Sequence, residues 1–163
     1  MDRLWSPWRM EYIEAARDAE AEGCVFCALL EAGDPDGDRV LARDDLVFVT
    51  LAKYPYNPGH LLVLPVRHTG DLEDLSDAED SAVGRMLRRS LRALRGVADP
   101  QGFNVGVNLG RVAGAGIPEH LHWHVVPRWG GDTNFMPVVG QTRVLPELLA
   151  ETFAKLRPRF DES

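Results

Sequence analysis

The fold is decided by the stretch His120-Leu121-His122-Trp123-His124-Val125-Val126-Pro127-Arg128. Histidines alternate with apolar residues over its first six positions, and this period of two is typical of a β-strand. Because successive side chains of a strand point to opposite faces, the three histidines are predicted to share one face. Proline has no N–H to donate to a sheet, so the strand is predicted to stop at Pro127.

Three histidines on one face favour a functional site over a solvated sheet surface, because histidine titrates near neutral pH and concentrates at sites. Two chemistries are open. Three imidazoles can hold a catalytic zinc ion that activates a hydroxide, or one imidazole can attack phosphorus and form a covalent intermediate. His60 follows the turn Asn57-Pro58-Gly59 and is a candidate for the same pocket.

Composition limits the class of protein. The chain has 163 residues, of which 45% are hydrophobic and 26% charged, so a single domain over 1–163 is predicted, with an aromatic arm at 1–22 and a core at 23–163. No apolar run approaches the ~20 residues that cross a bilayer, and no signal peptide is visible, so we expect a cytoplasmic protein without a membrane partner. The net charge of −7 argues against nucleic acid as a partner.

The only two cysteines, Cys24 and Cys27, have CxxC spacing. Two thiolates at this spacing can hold one soft metal ion, and a tetrahedral zinc site needs two more ligands, which histidines elsewhere can supply. A thioredoxin-like redox pair normally follows a βαβ pattern, which this sequence lacks, and two core cysteines are the remaining alternative. Structural zinc is therefore the preferred interpretation.

The remaining elements predict an α+β fold of antiparallel hairpins and helices. Strands are predicted at 46–51, 60–65 and 102–108, and a glycine-rich loop at 109–118 can bring backbone N–H groups close to an anion. One long helix is predicted over 71–95, with Ser76 and Glu79 as a capping box, and a final helix near 145–156. The buried stripe of the long helix is predicted to consist of Val83, Leu87, Leu91 and Leu94.

The pattern from His120 to Val126 resembles the His-φ-His-φ-His-φ-φ signature of the histidine-triad (HIT) superfamily of nucleotide hydrolases and transferases. The similarity extends over most of the chain, including 54–60, 67–68, 102–108 and 126–135. It is greatest to the bacterial branch that contains the diadenosine tetraphosphate (Ap4A) phosphorylases, also called ATP adenylyltransferases. The resemblance implies a HIT fold, with an antiparallel sheet of about five strands, one long and one C-terminal helix, and a homodimer that joins two sheets.

The resemblance also implies a role for each site residue. His122 would attack the α-phosphorus of an adenine nucleotide substrate, while His124 and His60 position and neutralise the phosphate oxygens. Nucleotide contacts would come from Asn108, Gly114, Gly116, Ile117 and Lys53. Zinc-bearing relatives imply a structural Zn²⁺ held by Cys24, Cys27, His68 and His120.

The sequence departs from the family pattern in two places. Ala52 stands where many members carry an asparagine that contacts the nucleoside, and Gly116 and Ile117 stand where the loop often ends in Ser, Thr or Gln. The acceptor is open: phosphate makes a phosphorylase, and water makes a hydrolase of Ap4A or of nucleoside phosphoramidates. A hydrolase with a three-histidine catalytic zinc and a non-enzymatic nucleotide sensor are the other hypotheses.

Overall fold

The computed structural model describes residues 23–33, 39–132 and 147–161. The predicted arm at 1–22 lies outside the described residues, as do residues 145–146 of the predicted final helix. The helices are α1 (Val25–Glu31), α2 (Asp77–Ala98) and α3 (Leu149–Asp161). The strands are β1 (Val40–Arg43), β2 (Val47–Leu51), β3 (Leu61–Pro65), β4 (Gly102–Val107) and β5 (Trp123–Arg128).

The five strands form one sheet in the order β1-β2-β3-β5-β4, and all neighbouring strands are antiparallel. This confirms the predicted α+β fold with a five-stranded antiparallel sheet. β5, which carries the histidine motif, lies between β3 and β4. Strand β1 was not predicted, because its four residues are too few to show a clear period. None of the helices in the described segments is long and apolar enough to cross a membrane.

The sheet is covered on both faces. One face packs against α2 and α3, and Leu121, Trp123 and Val125 belong to this larger core. The opposite face packs against Phe26 and Leu29 of α1. Because both faces are covered, every residue of β2 and β3 is buried, which explains why these strands appear in the sequence as continuous apolar runs.

The motif strand differs from the prediction at both ends. β5 begins at Trp123 rather than His120, because the chain ahead of it pairs differently: Leu121 N donates to Thr69 O at 2.7 Å. β5 also continues through Pro127 to Arg128, so the prediction that Pro127 ends the strand was wrong. The Pro127 carbonyl faces Asn57, beyond the last residue pair between β3 and β5. In a strand, the N–H and the carbonyl of one residue point to the same side, so an N–H at position 127 would also lie beyond the paired part of β3. Proline there therefore removes no ladder hydrogen bond.

The long helix begins later than predicted. Residues Leu72–Asp74 form a separate 3₁₀ turn, and α2 starts at the capping box, where Glu79 N donates to Ser76 Oγ and Ser76 N donates to Glu79. The buried stripe is also rotated by one position from the predicted one. Val83 and Leu94 are buried as predicted, but Leu87 and Leu91 only flank the stripe. The buried face of α2 also contains residues that were not predicted: Ala82, Met86, Ser90 and Ala93. Most of these side chains are small, so the helix can lie close to the sheet.

Candidate active site and metal centre

The three motif histidines divide between two adjacent sites. The His120 imidazole turns toward the cysteines, with its Nδ1 atom 3.3 Å from Cys24 Sγ and 3.7 Å from Cys27 Sγ. The rings of His122 and His124 lie 5.1 Å apart and form a separate site with His60. Because His120 and His122 both lie in the irregular segment ahead of β5, the alternation of a regular strand, which would place all three rings together, does not apply to them.

The first site is a Cys₂His₂ cluster that can bind a metal ion. One ligand atom each from Cys24, Cys27, His68 and His120 lies within 4.8 Å of the others. The nitrogen–sulfur distances of 3.3, 3.4 and 3.7 Å match a tetrahedral zinc site, in which bonds of about 2.3 Å to sulfur and about 2.0 Å to nitrogen separate such atoms by about 3.5 Å. The residues predicted as metal ligands are thus brought together.

The orientation of His120 suits metal binding. Its Nε2–H donates to the Pro65 carbonyl at 2.9 Å, which leaves the lone pair on Nδ1 directed at the cysteines. Backbone carbonyls often fix metal-binding histidines in this way. Burial lowers the pKa of His120 and favours the neutral ring, which is the form that binds metal ions. Burial, together with the neighbouring Cys24, raises the pKa of the Cys27 thiol to about 11, so a thiolate at this position needs a cation beside it.

At the second site, a backbone carbonyl sets the tautomer of His122. Nδ1–H of His122 donates to the His120 carbonyl at 2.8 Å, so the lone pair of the neutral ring is on Nε2. The side chain packs against Phe26, with the ring centroids 5.4 Å apart, and the residue is 5% exposed. Burial lowers the pKa of His122 and favours the neutral imidazole, which is the nucleophilic form.

His60 and His124 form a hydrogen-bonded pair. Tyr56 N–H donates to His60 Nδ1 at 3.1 Å, so the ring proton of neutral His60 is on Nε2. That proton is donated to His124 Nδ1 at 2.9 Å, which leaves an N–H at Nε2 of His124. The Tyr56 ring stacks on both imidazoles, with centroid distances of 4.7 and 5.7 Å. His60 is only 2% exposed, and this hydrogen bond to His124 connects its ring to the rest of the site.

The residues predicted to bind nucleotide lie in three places. Ile117 packs against the cluster around Phe26, the residue whose ring contacts both His120 and His122. Gly114, with φ 100°, ends a 3₁₀ turn at Arg111–Ala113, and Gly116 and Asn108 are half-buried in the same connection between β4 and β5. Lys53 is exposed, and its ammonium lies 5.7 Å from the centre of the Tyr54 ring.

A polar network beside the pair was not predicted. Arg128 donates to both carboxylate oxygens of Asp132, at 2.6 and 2.9 Å, and Asn57 Nδ2 donates to Asp132 Oδ2 at 2.8 Å. The Arg128 guanidinium holds the pKa of Asp132 well below its usual range. An arginine and an aspartate four residues apart are too common to predict this network.

The fold and the two sites define a histidine-triad protein with a Cys₂His₂ cluster beside the triad. The chain belongs to the HIT domain family, which matches residues 36–131. Members of this family act as nucleotide hydrolases or transferases, so it is a family of enzymes.

Three proteins illustrate the similarity. An AP-4-A phosphorylase of Mycobacterium tuberculosis is 44% identical over 158 residues, which cover 93% of this chain and 80% of that protein. The crystal structure of a Zn-bound histidine triad family protein from Mycobacterium smegmatis has a TM-score of 0.69 and 30% identity, covering 86% of this chain and 95% of that one. A hypothetical histidine triad nucleotide-binding protein from Sulfolobus tokodaii, at 22% identity, shares the fold with a TM-score of 0.70, covering 85% of this chain and 93% of that one.

Proposed function

We propose that this protein is a nucleotidyl transferase that acts on dinucleoside polyphosphates such as Ap4A through a nucleotidyl-histidine intermediate on His122. The hydrogen bond from His122 Nδ1–H to the His120 carbonyl carries the proposal, because it leaves the Nε2 lone pair for attack on phosphorus. The 44% identity to an AP-4-A phosphorylase supports this substrate.

The reaction has two displacements. His122 Nε2 attacks the α-phosphorus, a P–N bond forms, and the bond from that phosphorus to its bridging oxygen breaks, so that Ap4A releases ATP. An oxygen of phosphate or water then attacks the same phosphorus, and the P–N electron pair returns to Nε2. Phosphate as acceptor yields ADP, and water yields AMP.

The His60–His124 pair has a role in both displacements. His124 Nε2–H is positioned to donate to a non-bridging oxygen as negative charge develops on the phosphoryl group, and such fixed donors make large contributions to catalysis. His60 keeps His124 in the donating tautomer. We also propose nucleotide contacts from Asn108, Gly114, Gly116, Ile117 and Lys53.

The Cys₂His₂ cluster is proposed to bind structural zinc through Cys24, Cys27, His68 and His120. When bound, the ion supplies a cross-link between α1, the segment after β3 and the motif segment. His120 Nε2 already donates to Pro65, and its Nδ1 faces the cysteines. This orientation favours a histidine nucleophile over a catalytic zinc held by all three motif histidines.

The proposed homodimer would form along β4. Among the strands of the described segments, β4 is an edge of the sheet, and Val105 near its centre is 46% exposed. An apolar edge strand without charged residues is a surface that pairs readily with a second strand. A dimer made in this way would join two sheets.

Incubation of the purified protein with Ap4A, with and without inorganic phosphate, tests the reaction when the products are separated by chromatography. ADP and ATP formed only with phosphate would support the phosphorylase. AMP and ATP formed without phosphate would identify a hydrolase, in which case nucleoside phosphoramidates are the next substrates. Binding without turnover of either substrate would favour the sensor.

A further inference from the structure

Asp132 lies beyond the end of β5, and its side chain is 9% exposed. We propose that Asp132 is a positioning residue for the His60–His124 pair, acting through Asn57 and the turn at 54–60. The proposal rests on the proposed function, since it concerns the same pair of histidines. It adds a residue outside the histidine motif to the set on which the chemistry depends.

The first step is the fixing of the carboxylate. Arg128 donates to both oxygens, and Trp129 N donates to Oδ2 at 3.2 Å. Arg128 is itself held by Asn104 of β4, whose Oδ1 accepts from Arg128 Nη1 at 2.7 Å. The carboxylate is therefore anchored to two strands and has little freedom to move.

The second step links the carboxylate to the turn. Asn57 Nδ2 donates to Asp132 Oδ2 at 2.8 Å and to the Pro127 carbonyl at 2.9 Å, so both amide protons are used. The turn is also tightly packed. Gly59 has φ +76°, and a Cβ at that position would lie 3.0 Å from Leu94 Cδ2 and 3.4 Å from Pro127 Cγ. The turn therefore packs closely against Leu94 and Pro127, and only glycine fits at position 59 without strain.

The third step reaches the imidazoles. Tyr56 immediately precedes Asn57 in the chain, and its N–H donates to His60 Nδ1, while the Asn57 carbonyl accepts from His60 N at 3.1 Å. Release of Asn57 would free the Tyr56 amide to move away. His60 could then carry its proton on Nδ1, and His124 Nδ1 would lose its donor. The tautomer that places the N–H of His124 at Nε2 therefore depends on the hydrogen bond between Asp132 and Asn57.

The test compares Asp132→Asn with the matched control Glu79→Gln in the full chain. Glu79 is also a buried carboxylate, with an 8% exposed side chain, and it pairs with Arg67 and accepts a backbone N–H at the start of α2. Both variants lose an ion pair between a buried carboxylate and a half-exposed arginine, but only Asp132 contacts the turn. The readouts are the ¹⁵N shifts of the His60 and His124 rings, which report tautomer and pKa, and the pH profile of kcat.

We expect Asp132→Asn to give mixed tautomers of His60 and a kcat lower by roughly 10-fold to 100-fold, with a smaller change in KM. The acidic limb of the kcat–pH profile of this variant should move to higher pH. The reason is that loss of the Tyr56 N–H donor favours protonation of His60 at Nδ1. Loss of a negative charge alone would move that limb to lower pH, so the sign separates positioning from simple electrostatics. Glu79→Gln should retain the wild-type shifts and profile.

Unchanged imidazole shifts in Asp132→Asn, or a shift of the acidic limb to lower pH, would overturn the proposal. If that variant does not fold, Asn57→Ala provides the same test, because it keeps the Arg128–Asp132 ion pair and removes only the link to the turn. The ¹⁵N readout needs no turnover. A wild-type protein that has the expected tautomers but no activity would therefore refute the proposed function and leave the positioning role intact.

Discussion

Nδ1–H of His122 donates to the backbone carbonyl of His120, while the imidazole of His120 faces Cys24 and Cys27. One residue therefore belongs to both sites: its side chain lies in the Cys₂His₂ cluster, and its main chain sets the tautomer of the proposed nucleophile. A displacement of His120 would be transmitted to His122 through this hydrogen bond. The Cys₂His₂ cluster and the proposed catalytic site are thus connected through His120.

His122→Asn should abolish nucleotidyl transfer, with a fall in kcat of at least about 10³-fold, because the amide has no lone pair that can attack phosphorus. The fold and nucleotide binding should be retained, as checked by circular dichroism and calorimetry. Mass spectrometry of the wild-type protein after brief mixing with Ap4A should show an AMP adduct that the variant lacks. Turnover that persists in this variant would rule out the covalent mechanism.

Cys24→Ser should lower the zinc content and the thermal stability together. Loss of a bound structural metal lowers the free energy of unfolding. For a domain of this size, a decrease of about 1 kcal/mol in that free energy lowers Tm by about 2–4 °C. Val25→Ala is the control, since Val25 is an exposed neighbour on the same helix. Zinc measured by mass spectrometry at the wild-type level in Cys24→Ser would remove Cys24 from the ligand set.

Glu79→Gln should destabilise the fold at neutral pH by about 1–2 kcal/mol, through loss of the Arg67 ion pair and a weaker helix cap. Hydrogen bonds from Arg67 and Ser76 lower the pKa of Glu79 from 4.5 to about 2. A lowered pKa in the folded state stabilises the protein above about pH 4.5, and this contribution disappears as the pH falls toward 2.

Urea unfolding at several pH values checks this dependence. The difference in the free energy of unfolding between wild type and Glu79→Gln should shrink as the pH falls from about 5 to 2. A difference that stays constant over this range would show that the Glu79 charge contributes no stability.

Val105→Arg should prevent dimer formation, because it places a charge at the centre of the β4 edge, where two strands would pair. Light scattering after gel filtration gives the mass in solution. Val112→Arg is the control, since Val112 is fully exposed in the 3₁₀ turn at Arg111–Ala113 and outside the sheet. A monomeric wild-type protein, or a dimeric Val105→Arg variant, would contradict a dimer along β4.

Local pattern was sufficient for much of the architecture. Alternation around Trp123 and Val125, the apolar runs of β2 and β3, and the capping box at Ser76 each depend on neighbours within a few residues. Such signals remain visible in the linear chain, because side-chain period and end-capping are local properties of strands and helices. The first and last residues of the strands and helices are less local. The start of β5 and the passage of the strand through Pro127 depend on which segment lies alongside, and no local pattern specifies this.

In the candidate sites, too, residue types follow from the sequence, whereas contacts between distant residues depend on the tertiary structure. The type and spacing of Cys24, Cys27 and the motif histidines were enough to predict a metal cluster and a phosphate chemistry. Tertiary contacts alone separated His120 from His122, brought His60 Nε2 to His124 Nδ1, and joined Asp132 to Asn57 across 75 positions of the chain. These contacts are set by how β3 and β5 pair and by how the turn at 54–60 packs on α2. Side-chain period is a local property of the chain, whereas the tautomer of His124 is fixed by a hydrogen bond from His60, which lies 64 positions away.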